Sequence, residues 1–120
     1  MNITDARDLI TRLFAIIDSA DYDRLGDVFA AEAVYERPGY EPLPGLPRIE
    51  QFYRHERVIG SGQHTVEDVT CSETGSAVSF GVFRGTSRAG EALEERFADV
   101  YRVQGGKIVQ RTTYFFRPAI

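Results

Sequence analysis

An aspartate flanked on its own strand face by two aromatic residues is the first feature of this chain that could do chemistry. Residues 97–101 read Phe-Ala-Asp-Val-Tyr. Side chains in a strand alternate between faces, so Phe97, Asp99 and Tyr101 share one face while Ala98 and Val100 share the other. A carboxylate in that setting is a protonated donor, a base, or half of a buried ion pair. Arg111 is the candidate partner. If the strands joined through Gly105-Gly106 pair antiparallel, Asp99 and Arg111 face each other across the ladder. A guanidinium stays charged and would keep Asp99 an acceptor; Arg111 could also meet an anionic group of a substrate. His64, just after Gly60-Ser61-Gly62, is suited to moving a proton because imidazole titrates near neutral pH. His55 lies off the Ile49, Phe52, Tyr53 stripe and is expected in solvent. Two histidines without a clustered carboxylate motif lack metal-ligand spacing, so no metal is expected. Cys71 has no adjacent activating group and is read as structural.

These side chains need elements to hold them. Thr4 or Asp5 can cap a first helix, in which Leu9, Ile10, Leu13, Phe14, Ile16 and Ile17 form an apolar stripe. Tyr22, Leu25, Val28 and Phe29 suggest a second, short helix, and residues 33–36 a short strand ending at Glu36. Residues 37–47 hold four prolines and two glycines, which makes them a loop and a candidate rim of a site. Ile49, Phe52 and Tyr53 open a third helix that ends near Gly60-Ser61-Gly62, with Arg57 at its surface end, where it could guard a pocket mouth. Strands are expected over residues 64–71 and 94–103 and from Ile108 to Arg117, with Val78, Phe80 and Val82 alternating against Ser79, Gly81 and Phe83. Turns fall at Arg88-Ala89-Gly90 and at residues 104–107. Helices followed by an antiparallel meander define an α+β domain.

Composition limits what such a domain can be. The chain has 120 residues and a formal charge of −4, which fits one domain, 1–120, with one core. Mild acidity argues against a nucleic-acid partner. No window reaches the ~18 apolar residues of a membrane span, and the start lacks the basic and apolar regions of a signal peptide. With a single cysteine, a cytoplasmic location is expected. No nucleotide-binding glycine fingerprint is present, since Gly105-Gly106 reads as a hairpin. Of the 14 cationic residues only Lys107 is a lysine, so any buried counter-charge should be a guanidinium.

In this order of elements the chain resembles the nuclear-transport-factor-like superfamily of conical α+β folds. Within it the resemblance is to the small ketosteroid isomerase-like and SnoaL-like polyketide cyclase-like domains. It spans nearly all of the chain. It rests on the helical stripe followed by residues 18–23 (Asp-Ser-Ala-Asp-Tyr-Asp), on residues 33–36 (Ala-Val-Tyr-Glu), on Gly39, Glu41-Pro42 and Gly45, and on residues 99–103 with Gly106-Lys107-Ile108.

The resemblance implies three N-terminal helices packed on a curved, mainly antiparallel sheet that forms a conical cup. It implies a cofactor-independent enzyme that transfers protons on a small apolar carbonyl or polyketide-like molecule in a buried pocket. Glu36 falls on the family's base position at the cavity wall, and Asp99 on the position of an acid kept neutral by an apolar site in the steroid isomerases. The family's oxyanion tyrosine position holds Leu13, with Phe14 beside it, which departs from the steroid isomerases; Tyr53 is the best-placed substitute donor. Family epoxide hydrolases carry a second carboxylate where this chain has Thr113. Family dehydratases and some cyclases use a cavity histidine, a role open to His64. Leu13, Phe14, Phe52, Tyr53, Phe80, Phe97, Tyr101, Thr113 and Phe115 are expected to line or support the pocket, with Arg57 at its mouth. A homodimer is expected through the outer sheet face at Val100, Val103 and Tyr114. Two other functions stay open: a non-catalytic ligand-binding or dimerisation domain, and a dehydratase or epoxide hydrolase-like enzyme.

Overall fold

Apolar spacing in the first third of the chain builds one long helix, α1 (Ile3–Asp18). A computed structural model describes residues 1–118. The N-cap of α1 is Asn2, ahead of the expected Thr4 or Asp5: its side-chain oxygen accepts from the Asp5 backbone N–H at 2.8 Å. The stripe from Ala6 to Ile17 is buried, at about 1.5–3 kcal/mol for each large apolar side chain. The helix ends in a Schellman motif. Asp21 N–H bonds Ile16 O at 3.0 Å and Ala20 N–H bonds Ile17 O at 3.1 Å, with Ala20 left-handed at φ 56°. This leaves Asp18 as the last helical residue.

The expected second and third helices take other forms. Residues Tyr22–Asp27 form a 3₁₀ turn, and Phe29 already belongs to strand β1 (Phe29–Glu36). Within the proline-rich loop, β2 (Leu43–Pro44) pairs with β1. Helix α2 (Leu46–Gln51), with Pro47 in its first turn, runs into a π-helical turn at Phe52–Glu56. Gly60 and Gly62 lie inside β3 (Ile59–Cys71) rather than ending a helix. The meander continues through β4 (Ser76–Ser87), β5 (Ala92–Gln104) and β6 (Lys107–Phe115).

The six strands form one sheet in the order β2-β1-β6-β5-β4-β3. All neighbours are antiparallel except β1 and β6, which run parallel. Register shifts at residues 59–61 and 66–68 of β3 and at 108–110 of β6 bend those strands. Gly62 pairs with Gly85 across β3 and β4. A Cβ at Gly62 would lie 2.6 Å from Arg84 O and would strike the Phe83 ring. The bare backbone therefore makes room for Phe83, which is 1% exposed.

On β4 the inward face is the reverse of the expected one. Ala77, Ser79 and Phe83 are buried and Phe80 is exposed. Apolar alternation misleads here because the inner face is built from small and polar residues: Ser79 is buried in a hydrogen bond to Tyr101 Oη at 2.8 Å. Val103 departs from its expected outer position too. It shares the parity of Phe97, Asp99 and Tyr101, which turns it inward, partly buried against the core.

Candidate functional site

The meander brings the two charged residues expected in the cup together, though on a diagonal. Across β5 and β6, Asp99 pairs with Thr113 and Tyr101 with Arg111. Arg111 reaches diagonally, placing Nη2 3.1 Å from Asp99 Oδ2. Asp99 is 0% and Arg111 2% exposed. Two further donors complete the carboxylate: Thr113 Oγ1 to Oδ1 and Tyr101 Oη to Oδ2, the latter at 3.2 Å. A hydroxyl has one hydrogen. Thr113 gives its own to Asp99, so it must accept from Tyr35 Oη, 2.7 Å away. Tyr35 Oη in turn accepts from Arg37 Nη1 at 3.1 Å. With donors on both its oxygens, Asp99 is arranged as an acceptor and not as a donor to a substrate.

Arg111 also donates from Nη1 to Tyr53 Oη at 2.7 Å. The Tyr53 hydroxyl hydrogen stays available to another acceptor, and burial pushes its pKa up to about 12 against the opposing pull of Arg111. It remains a phenol at neutral pH. Burial would also raise Tyr35, but the Arg111 and Arg37 guanidiniums outweigh it and hold its pKa below the ordinary tyrosine value.

His64 lies on the opposite wall. Its Nδ1 sits 2.6 Å from Asp18 Oδ1, and its backbone N–H donates to Asp18 Oδ2 at 2.8 Å. A carboxylate only accepts, so Nδ1 carries the hydrogen and Nε2 holds the lone pair. The ring stacks on Phe14 at 4.3 Å and meets Phe83 at 4.8 Å and Phe97 at 5.3 Å. Burial among these rings lowers the His64 pKa below 6.5, partly opposed by the hydrogen bond and charge of Asp18. With Nδ1 held by Asp18, Nε2 is the ring nitrogen left free to act as a base. It pairs with Asp18 and not with Asp99.

His64, Tyr53, Arg57, Phe97, Asp99, Arg111, Thr113 and Phe115 line one void, together with Tyr35, Arg37, Ile59 and Phe83. The space measures about 10 Å³, room for roughly one water. Larger guests enter only as lining side chains move. Phe14 supports His64 from behind, Phe52 packs edge-on to Tyr35 and Tyr53, and Leu13 and Tyr101 are wholly buried beneath the wall.

Three expected site residues are placed differently. Glu36 stands on the opposite face of β1 from Tyr35, bonded by Gln110 Nε2 at 2.9 Å and Thr112 Oγ1 at 3.2 Å. Phe80 is 42% exposed on the outer face of the sheet. Arg57, expected near the surface, is 5% exposed because the π turn carries it inward beside Tyr53. Tyr35 is one of several tyrosines whose type alone offers a hydroxyl donor, whereas Asp18 and Arg37 carry no such expectation. Asp18 had a signal: an acidic residue in the last turn of a helix opposes the helix dipole and calls for a local reason. Among the described residues no group of three or more His, Cys, Asp or Glu is placed to hold a metal ion. Among those residues no helix is long and apolar enough to cross a membrane either.

This geometry sits on a known architecture. Residues 10–111 match the SnoaL-like domain family, and the chain belongs to that family. An uncharacterized protein of Mycobacterium tuberculosis (strain ATCC 25618 / H37Rv) is 30% identical over 118 residues, covering 93% of this chain and 89% of its own. A solved NTF2-like protein of unknown function from Burkholderia pseudomallei superposes with a TM-score of 0.83 at 17% identity, covering 96% of this chain and 92% of that one. A putative SnoaL-like polyketide cyclase from Jannaschia sp. CCS1 gives 0.80 at 13% identity, covering 94% and 86%. At these identities the two structures establish the NTF2-like fold.

Proposed function

We propose that the domain is a cofactor-independent enzyme that transfers a proton on a small carbonyl compound held in the cup, with His64 as the proton-moving group. The observation that carries this reading is the His64–Asp18 pair at 2.6 Å, on the wall of a void shared with Tyr53 and Arg111. His64 Nε2 takes a proton from the carbon next to the carbonyl. The electron pair moves onto the carbonyl oxygen, and the Tyr53 hydroxyl, polarised by Arg111, donates to the oxyanion. The proton returns from His64 to the shifted position. Asp99 keeps Arg111 in place and balances its charge. Glu36 takes no part.

The test follows exchange of carbon-bound hydrogen for deuterium across enones and β-keto compounds. The wild type should accelerate exchange for at least one class. His64→Gln should lower that rate by about a hundredfold or more. Exchange by His64→Gln at the wild-type rate contradicts the reading, and no exchange with any compound favours a binding domain instead.

The one-water void supports a second reading, in which His64 activates water for hydrolysis or dehydration. Incorporation of oxygen from labelled water into product would distinguish it. The same proposal takes the chain as a cytoplasmic homodimer joined through its outer sheet face, supported by the exposure there of Phe80, Val100 and Tyr114 at 42%, 38% and 55%.

A further inference from the structure

Arg57 is the charged group in the cup that neither the fold nor the proposed proton transfer uses. It is 5% exposed, and among the described residues no carboxylate lies within the 4.0 Å of an ion pair. Its Nε–H is buried without an acceptor. Its guanidinium lies over the faces of Tyr53, 5.2 Å from the ring centre, and Phe83, at 5.8 Å. The backbone beneath is fixed: Arg57 N–H bonds Phe52 O at 3.0 Å, and its carbonyl accepts from Arg88 Nε. Arg88 also reaches Arg54 O at 3.2 Å, tying down the end of the π turn.

A buried charge without a counter-ion costs stability, and an unmet buried N–H adds to that cost. Arg111, on the same void, likewise has a buried Nε–H without an acceptor, although Asp99 answers its charge. Arg57 therefore adds to the cup a cation that the Asp99–Arg111 pair does not balance, and its Nε–H, like that of Arg111, lacks an acceptor.

We propose that Arg57 binds a carboxylate of the substrate, so that the molecule taken by the cup is a small organic acid whose carbonyl end faces His64. The planar guanidinium fork matches a carboxylate, and the aromatic faces under it leave its N–H edge for the ligand. The inference rests on the cup being a small-molecule site. It is read by binding alone, so the two can fail separately. Exchange without a preference for acids removes this inference only, and an acid preference without exchange removes the catalytic reading only.

The experiment is calorimetric titration of short-chain 3-oxo carboxylates, each beside its methyl ester, into wild type, Arg57→Met, Arg57→Lys and His64→Gln, with Tm recorded for each protein. The wild type should favour acid over ester by at least about tenfold, the scale of one charge-assisted hydrogen bond. Arg57→Met should abolish the preference, Arg57→Lys should keep part of it, and His64→Gln should keep all of it. Arg57→Met should also leave Tm equal or higher, because it removes an unanswered buried charge while keeping the packing. Equal affinity for acid and ester in the wild type, or an undiminished preference in Arg57→Met, overturns the inference. A marked fall in Tm for Arg57→Met would make Arg57 a structural strut and overturns it too.

Discussion

Asp18 and Asp99 differ in what each carboxylate touches. Asp99 meets a guanidinium and two hydroxyls, and its position is structural and electrostatic. Asp18 meets an imidazole, where it sets a tautomer. Burial lowers the His64 pKa below 6.5 and Asp18 opposes that, so Asp18→Asn should move the His64 midpoint further down. NMR titration of the imidazole checks this; a wild-type midpoint above 6.5, or an upward move in Asp18→Asn, contradicts the account. The linkage has the matching sign. A histidine whose folded pKa is depressed contributes stability in full above 6.5, and that contribution is lost as pH falls toward the folded pKa. The cluster around Asp99 was legible in advance because a charged residue interrupts an apolar strand face. Asp18 was harder to see, because its partner is 46 residues away and only the fold closes that distance.

At the level of elements, the sheet and the long helix follow from alternation and helical spacing, while the faces of individual strands do not always. Residues 33–36 place apolar side chains at both parities, so nothing in them decides whether Tyr35 or Glu36 faces inward. Pairing with β6 decides it, setting Tyr35 beside Arg111 and Glu36 beside Thr112. On β4 the apolar parity is the outer one. In β3, Gly62, which reads as part of the end of a helix, serves to admit Phe83, which then packs on His64. Gly62→Ala should therefore destabilise the protein by about 1–3 kcal/mol, the usual cost of overpacking, measured by urea unfolding. An unchanged midpoint would show that the close approach of β3 and β4 is not what holds Phe83 in place.

At the scale of the molecule, the SnoaL-like fold presents two faces of different character. The inner face is a nearly filled cup of aromatic rings and charged groups. The outer face carries Phe80, Val100 and Tyr114 in contact with solvent, a pattern suited to a second copy of the chain. Light scattering at micromolar concentration should give twice the 13.5 kDa chain mass; a monomer would contradict that assignment. The central claim is that His64, not Glu36, moves the proton. The most direct test compares deuterium exchange by wild type, His64→Gln and Glu36→Gln on the same β-keto compound. The account predicts a loss of about a hundredfold or more for His64→Gln and a rate within about threefold of wild type for Glu36→Gln, whose carboxylate faces away from the cup. The reverse ordering would contradict it.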